Sequence, residues 1–174
     1  MKGDRVFQNV EWHDRGASSP GASLLALVGF LGLCLLVGAA AGELTAGTVR
    51  LWYNALARPP GTPPGWVLAP VWGVLYLMIG TAAWLVWRRV GNASPLRLWG
   101  WQLLLNALWT PAFFGLRQPA LALAVILTLL VLVVLTARAF ARVERRAALL
   151  MLPYAAWVAY ATYLNLGFWW LNRA

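Results

Sequence analysis

GWVLAPVWGVLYLMIGTAAWLVW, residues 65–87, runs for 23 residues without a charge, and RPPGTPP (58–64) sets four prolines directly before it. A helix needs about 20 mostly apolar residues to cross the hydrocarbon core of a bilayer, so this run is long enough to span one. Backbone polar groups in lipid must find partners inside the segment, which a helix provides.

The pattern recurs along the chain. Five apolar segments stand out, Ala22–Gly42, Gly65–Trp87, Leu96–Leu116, Pro119–Ala141 and Ala147–Leu171. With 61% hydrophobic and 11% charged residues and a mean hydropathy of +0.68, the 174-residue chain is far from a soluble composition. The expectation is an all-α membrane protein, a five-transmembrane-helix bundle over residues 21–174 behind a flexible polar tail at 1–20. That leaves no room for a separate soluble catalytic domain. GAAAG (38–42) resembles a signal-peptide cleavage site, but the apolar run from Leu24 to Ala41 exceeds the 7–15 residues of a signal core, so the segment reads as a retained span.

Fourteen basic residues against five acids give a net charge of +9. In a soluble protein that balance suggests nucleic acid. Here the arginines punctuate apolar runs, and no nucleic-acid partner is expected. Lys2, Arg5, Arg15, Arg88, Arg89, Arg97, Arg138, Arg142, Arg145 and Arg146 fall on one side, against Arg50, Arg58, Arg117 and Arg173 on the other. The positive-inside rule then puts the N-terminus in the cytoplasm and the long 43–64 loop on the opposite face, without saying which membrane holds the chain.

Chemistry is thinly supplied. No phosphate-binding glycine loop, HExxH, CxxC or GxSxG is present. Beyond the tail the acids are Glu43 and Glu144, both at span ends, so no carboxylate pair serves acid–base catalysis and no intramembrane acid couples ions for active transport. Cys34 reads as a buried inert thiol, and the lone His13 in the tail offers no metal cluster. No cofactor or metal is expected.

What is abundant is aromatic. Of twelve tryptophans, Trp84, Trp87, Trp99, Trp169 and Trp170 lie near span ends and fit an interfacial belt. Others fall on helical faces: Gln102, Asn106, Trp109 and Phe113 in the third span; Tyr154, Trp157, Ala161 and Asn165 in the fifth; Trp72 and Tyr76 in the second. Amides at membrane depth must pair, so these faces should look inward, as helix glue, as ligand contacts, or as both. The fourth span carries little besides aliphatic residues and reads as peripheral. Pro70, Pro111 and Pro153 interrupt three spans and favour kinks that leave room for a cavity.

The long loop reads as the cover. RLWYNALARP (50–59) suits a short amphipathic helix, and the following prolines favour extended geometry. Thr62 can cap the second helix with Pro63 at its first position. With Arg50, Arg58 and Arg117 on one side, the expected ligand is a planar hydrophobe carrying a carboxylate.

WYNALARP (52–59), PPGWVLAPVWGVLY (63–76), QLLLNALWTPAFFGLRQ (102–118) and PYAAWVAYATYLN (153–165) resemble, in order and spacing, the tryptophan-rich sensory protein and mitochondrial translocator protein family, also called the peripheral benzodiazepine receptor. The resemblance implies a five-helix, usually homodimeric, lipid-embedded bundle that binds protoporphyrin IX, haem-related tetrapyrroles, sterols and benzodiazepine-type drugs under its first loop. It implies a receptor or sensor regulating pigment and stress responses, with a light-dependent porphyrin-degrading enzyme, acting through Trp52 and Trp72, or a transporter as alternatives. The ligand wall it implies is Trp52, Tyr53, Pro63, Leu68, Trp72, Asn106, Thr110, Phe113, Trp157 and Ala161. Gly61 stands where many relatives place an aromatic residue in the loop, so restoring an indole there is expected to tighten porphyrin binding. Leu166 departs from the sterol-recognition pattern of animal members, which argues against cholesterol. Gly38 and Gly42 form a small-xxx-small pair suited to dimerisation.

Overall fold

The computed structural model describes residues 19–173, apart from the side chains of residues 44, 46 and 48–51. The tail read at residues 1–20 lies outside them except for its last two positions, which open the first helix. Five α-helices carry the chain: α1 (Pro20–Leu51), α2 (Gly65–Val90), α3 (Ser94–Thr110), α4 (Pro119–Ala141) and α5 (Arg145–Leu171). Four of them are long and apolar enough to cross a membrane. The exception, α3, has 17 α-helical residues and continues as a π-helical turn over Pro111–Gly115. Pro111 lacks an N–H, and the Leu116 N–H donates to its carbonyl across a five-residue step, 2.8 Å away. Proline removes the N–H that would continue the α-helical ladder, and the chain goes on from there in the wider turn.

The first helix differs from its expected limits. It starts at Pro20, capped by Ser19, whose hydroxyl accepts from the Ala22 N–H at 3.3 Å. It runs on to Leu51 instead of stopping at Gly42. The amphipathic helix expected over 50–59 is therefore reduced to one 3₁₀ turn, Tyr53–Ala55.

The helices pack in the ring order α1–α2–α5–α4–α3, closed where α1 meets α3 and its π turn. Buried positions in α4 (Ala122, Ile126, Leu129, Val133, Thr136, Phe140) and in α5 (Ala147, Met151, Tyr154, Val158) alternate by four and three residues. That 3.5-residue period makes the α4–α5 seam the most extensive contact in the bundle. As expected from its aliphatic sequence, α4 turns its other face outward (Leu121, Leu127, Val131).

Glycine sets the α1–α2 seam. A Cβ on Gly80 would lie 3.0–3.2 Å from Leu31 and the Phe30 carbonyl, and one on Gly38 would lie 2.6 Å from the Tyr76 ring. In lipid, where apolar surface gains nothing from leaving water, such close approach is the main source of attraction. Gly38 is thus occupied within the chain, which corrects its reading as half of a dimer motif. Cys34 is fully buried beside this seam.

The two ends of the bundle are tied differently. At the basic end, Glu144 caps α5 through the Arg146 N–H and accepts a two-pronged bond from Arg89 at the end of α2, at 2.9 and 3.1 Å. At the loop end, the ties are neutral hydrogen bonds between the 57–61 segment and α5.

Candidate functional site

The strap that holds the loop begins at a tight turn. Pro59-Pro60-Gly61-Thr62 closes with the Thr62 N–H on the Pro59 carbonyl at 3.3 Å, and Gly61 takes φ 82°. Proline at the second position and a left-handed residue at the third define a type II turn, so Gly61 is required by the backbone. That corrects the view of Gly61 as a missing aromatic contact: an indole there would force a side chain onto a left-handed residue. The Thr62 hydroxyl donates to the Pro59 carbonyl at 2.7 Å, inside the turn, and α2 begins at Gly65 with no side-chain cap. The expected Thr62 cap and Pro63 first position are overturned, because the turn claims the hydroxyl first.

The turn lies along α5. Tyr160 donates its hydroxyl to the Gly61 carbonyl, and Tyr163 to the Pro60 carbonyl at 3.1 Å. Asn172 brackets Ala57, accepting its N–H at 2.9 Å and donating to its carbonyl at 3.0 Å. Pro59 is buried against Gly167, where any Cβ would fall 2.5 Å from the proline ring.

Beneath this roof is a cavity of about 460 Å³. That lies within the range of small-molecule sites, roughly 300–1,000 Å³. Tyr53, Pro63, Leu68, Trp72, Asn106, Thr110, Phe113, Trp157 and Ala161 line it, nine of the ten residues singled out from the sequence. Trp52 does not. Its ring packs edge-on against Phe113 at 5.7 Å, behind the wall.

The floor is a buried polar relay. Tyr76 donates to Asn106 Oδ1 at 2.7 Å, and Asn106 Nδ2 donates to the Tyr154 hydroxyl at 3.0 Å, joining α2, α3 and α5. Trp72 stacks on Tyr76, ring centroids 5.3 Å apart. On the far wall Trp109 donates to Asn165 Oδ1 at 2.9 Å, and Asn165 Nδ2 donates to the Pro119 carbonyl at 2.8 Å. Asn106 and Asn165 therefore act as glue between helices while also facing the cavity. Gln102, expected on the same inward face, is fully buried with neither amide atom hydrogen-bonded among the described residues, and lies off the cavity wall. Phe113 sits at the centre of a second cluster with Trp109, Phe114 and Phe168.

Among the described residues no charged side chain lines the cavity. The expected cationic rim does not form from Arg58, whose guanidinium donates to Asn54 Oδ1 at 2.8 Å and covers the Tyr53 ring at 5.5 Å. Burial raises the Tyr53 phenol above its ordinary pKa, and the neighbouring Arg58 partly offsets this. Arg117 is exposed on the α3–α4 link with φ 55° and lines nothing, and the Arg50 side chain lies outside the described residues. The polar side chains on the wall without a described hydrogen bond are the hydroxyls of Tyr53 and Thr110 and two indoles. Trp84 and Trp109 are the described tryptophans that hydrogen-bond, which leaves the N–H groups of Trp72 and Trp157 without a described partner.

Sequence reasoning missed one whole wall. Leu35, Gly38, Ala39, Ala41, Gly42 and Thr45 of α1 line the cavity. They carry no reactive group, and their one signal is an accumulation of small residues on a span read as a retained membrane segment with a dimerisation pair. It also missed that Trp99 is buried inside the bundle: it is 5% exposed and meets Phe30 edge-on at 5.2 Å.

Comparison with known proteins agrees with this architecture. The TspO/MBR family profile matches residues 30–171. Over 153 residues the chain is 39% identical to the tryptophan-rich protein TspO of Chlorobaculum tepidum, covering 86% of this chain and 97% of that one. It is 40% identical over 151 residues to the translocator protein of Bos taurus, covering 84% and 89%. It is also 39% identical over 114 residues to the tryptophan-rich sensory protein of Cereibacter sphaeroides, covering 66% and 72%. The chain belongs to the TspO/MBR family, and is a multi-pass integral membrane protein.

Proposed function

We propose that the protein is a membrane receptor or sensor that holds a planar, porphyrin-type ligand in the cavity beneath the 52–64 loop. The observation that carries this reading is the cavity's wall: largely aromatic and aliphatic, without a described charge, and set with two indole donors that have no partner among the described residues. Such a wall accepts the faces of a flat ring system through stacking. The donors of Trp72 and Trp157 supply orientation. A ligand's carboxylates stay at the mouth, since the interior offers them no cation. Five membrane crossings, with α3 and its π turn acting together as the third, complete the architecture we infer. The basic end then faces the cytoplasm by the positive-inside rule. A homodimer, implied by the family resemblance, would use a surface other than the occupied Gly38.

Quenching of tryptophan fluorescence by protoporphyrin IX tests the assignment. Trp72→Ala with Trp157→Ala should weaken binding by about tenfold or more, equivalent to at least about 1.4 kcal/mol. Unchanged affinity in that double variant removes the cavity from consideration.

One observation favours a second reading, light-dependent porphyrin degradation. Trp72 stacks on Tyr76, which hydrogen-bonds onward to Asn106 and Tyr154, so an indole in the wall contacts a buried phenol network able to share an oxidising equivalent. Illumination with excess porphyrin separates the two: many turnovers to one product favour the enzyme, and bleaching limited to one ring per site favours the receptor.

A further inference from the structure

The contact between α1 and α2 changes character at Gly38. From there toward the basic end the helices touch, through Gly38 on Tyr76, Gly80 on Phe30 and Leu31, and the Trp84 indole donating to the Ser23 carbonyl at 2.9 Å. Toward the loop end they part. A Cβ placed on Gly42, Gly73 or Gly65 would meet nothing within 4 Å, although all three residues line the cavity. Besides α2, α1 also contacts the 3₁₀ turn and the π turn of α3. Leu35 and Ala39 on α1, with Gly65 and Ala69 on α2, are exposed and yet form part of the cavity wall. The result is a lateral slot edged by small residues, at the depth of the apolar helices.

The roof behaves oppositely. Four hydrogen bonds, from Tyr160, Tyr163 and Asn172, and the buried Pro59 against Gly167 hold residues 57–61 to α5. Opening upward would break all of them, whereas nothing among the described residues closes the slot.

We infer that hydrophobic ligands reach the cavity from within the bilayer, through the slot between α1 and α2, while the loop stays strapped to α5. This rests on the ligand reading above. The partner it names is a lipid-dissolved molecule, which partitions into the membrane first and never crosses the loop.

Stopped-flow quenching by protoporphyrin IX, with the full chain in lipid nanodiscs, tests the route with two variants. Gly42→Leu with Gly73→Leu places side chains into the slot at positions with free space, where leucine also favours the helix more than glycine does. Ala57→Cys with Asn172→Cys, oxidised, locks the strap, and reduction releases it. Because a passage acts on both directions alike, the slot variant should slow association and dissociation together by about tenfold, while the locked strap leaves both within about twofold. Association that is unchanged in the slot variant, or that stops on oxidation and returns on reduction, overturns the lateral route alone. Absence of quenching by the unmodified protein overturns the ligand reading and the route with it.

Discussion

The two halves of the α1–α2 seam are built from the same residue types and behave in opposite ways. Toward the basic end, glycine removes the last atom between two helices in contact, and at Gly80 the obstacle is backbone. Toward the loop end, Gly42 and Gly73 face open space and glycine leaves a cavity. Small residues in a membrane helix thus have no fixed meaning. Whether they close a seam or leave space depends on what the partner helix places opposite them: Tyr76 and the Phe30 carbonyl on one half, nothing within 4 Å on the other.

The contrast breaks most visibly under one substitution made on each side. Gly80→Leu must displace the Phe30 carbonyl and should cost about 3 kcal/mol, within the upper range for overpacking. Gly73→Leu should be neutral or stabilise by up to about 1 kcal/mol through helix propensity. Thermal unfolding midpoints in detergent measure both. Equal losses at the two positions would mean that the halves are packed alike.

The floor between the halves ranks next. Asn106→Leu leaves the Tyr76 and Tyr154 hydroxyls buried without their shared partner, and should cost about 2 kcal/mol. Adding Tyr76→Phe and Tyr154→Phe should recover most of that loss, because removing all the polar partners together is far cheaper than orphaning two of them. A triple variant as unstable as the single one would show that Asn106 matters by shape instead of by hydrogen bonding.

A smaller effect is expected at the roof. Gly61→Ala puts a Cβ on a residue with φ 82°, at a cost of about 1 kcal/mol confined to the loop. Hydrogen exchange over residues 57–64 should quicken while the helices stay protected. Gly61→Trp carries the same backbone penalty, so it is expected to loosen the roof, contrary to what the missing aromatic alone suggests.

Much of this was legible because local signals agreed with the final packing. Pro119 and Ala141 bound α4 as read from the sequence, and α2 and α5 differ from their expected limits by at most three residues. The inward faces of α3 and α5 followed from the cost of burying amides in lipid. The failures share one cause, which is that the deciding contact is distant in sequence. Tyr160 and Tyr163 meet carbonyls 99 and 103 residues away, and nothing near them announces a strap. Trp99 stands near a span end, as a belt residue would, until Phe30 of α1 covers it. Thr62 had two available partners and the nearer turn took it. Arg58 was assigned to a ligand although Asn54, one helical turn before it, was already within reach.

The smallest predicted effect separates the two ends by pH. Glu144 is held below the ordinary carboxylate pKa, first by the Arg146 N–H and then by the Arg89 guanidinium. A depressed folded pKa means that the ion contributes stability above the unfolded value. That contribution declines once the pH drops below the unfolded value, about 4.3 for glutamate, and is gone below the folded one. Glu144→Gln should therefore lower the unfolding midpoint slightly at neutral pH, and the difference should vanish in strong acid and shrink at high salt, as exposed ion pairs do. The strap at the loop end uses phenol, amide and carbonyl groups with no charge to lose, so Asn172→Ala should weaken it by the same amount at pH 4 and pH 7. A variant at position 172 whose effect followed pH would place a charged contact at the roof, and the distinction between an ionic closed end and a neutral covered one would fail.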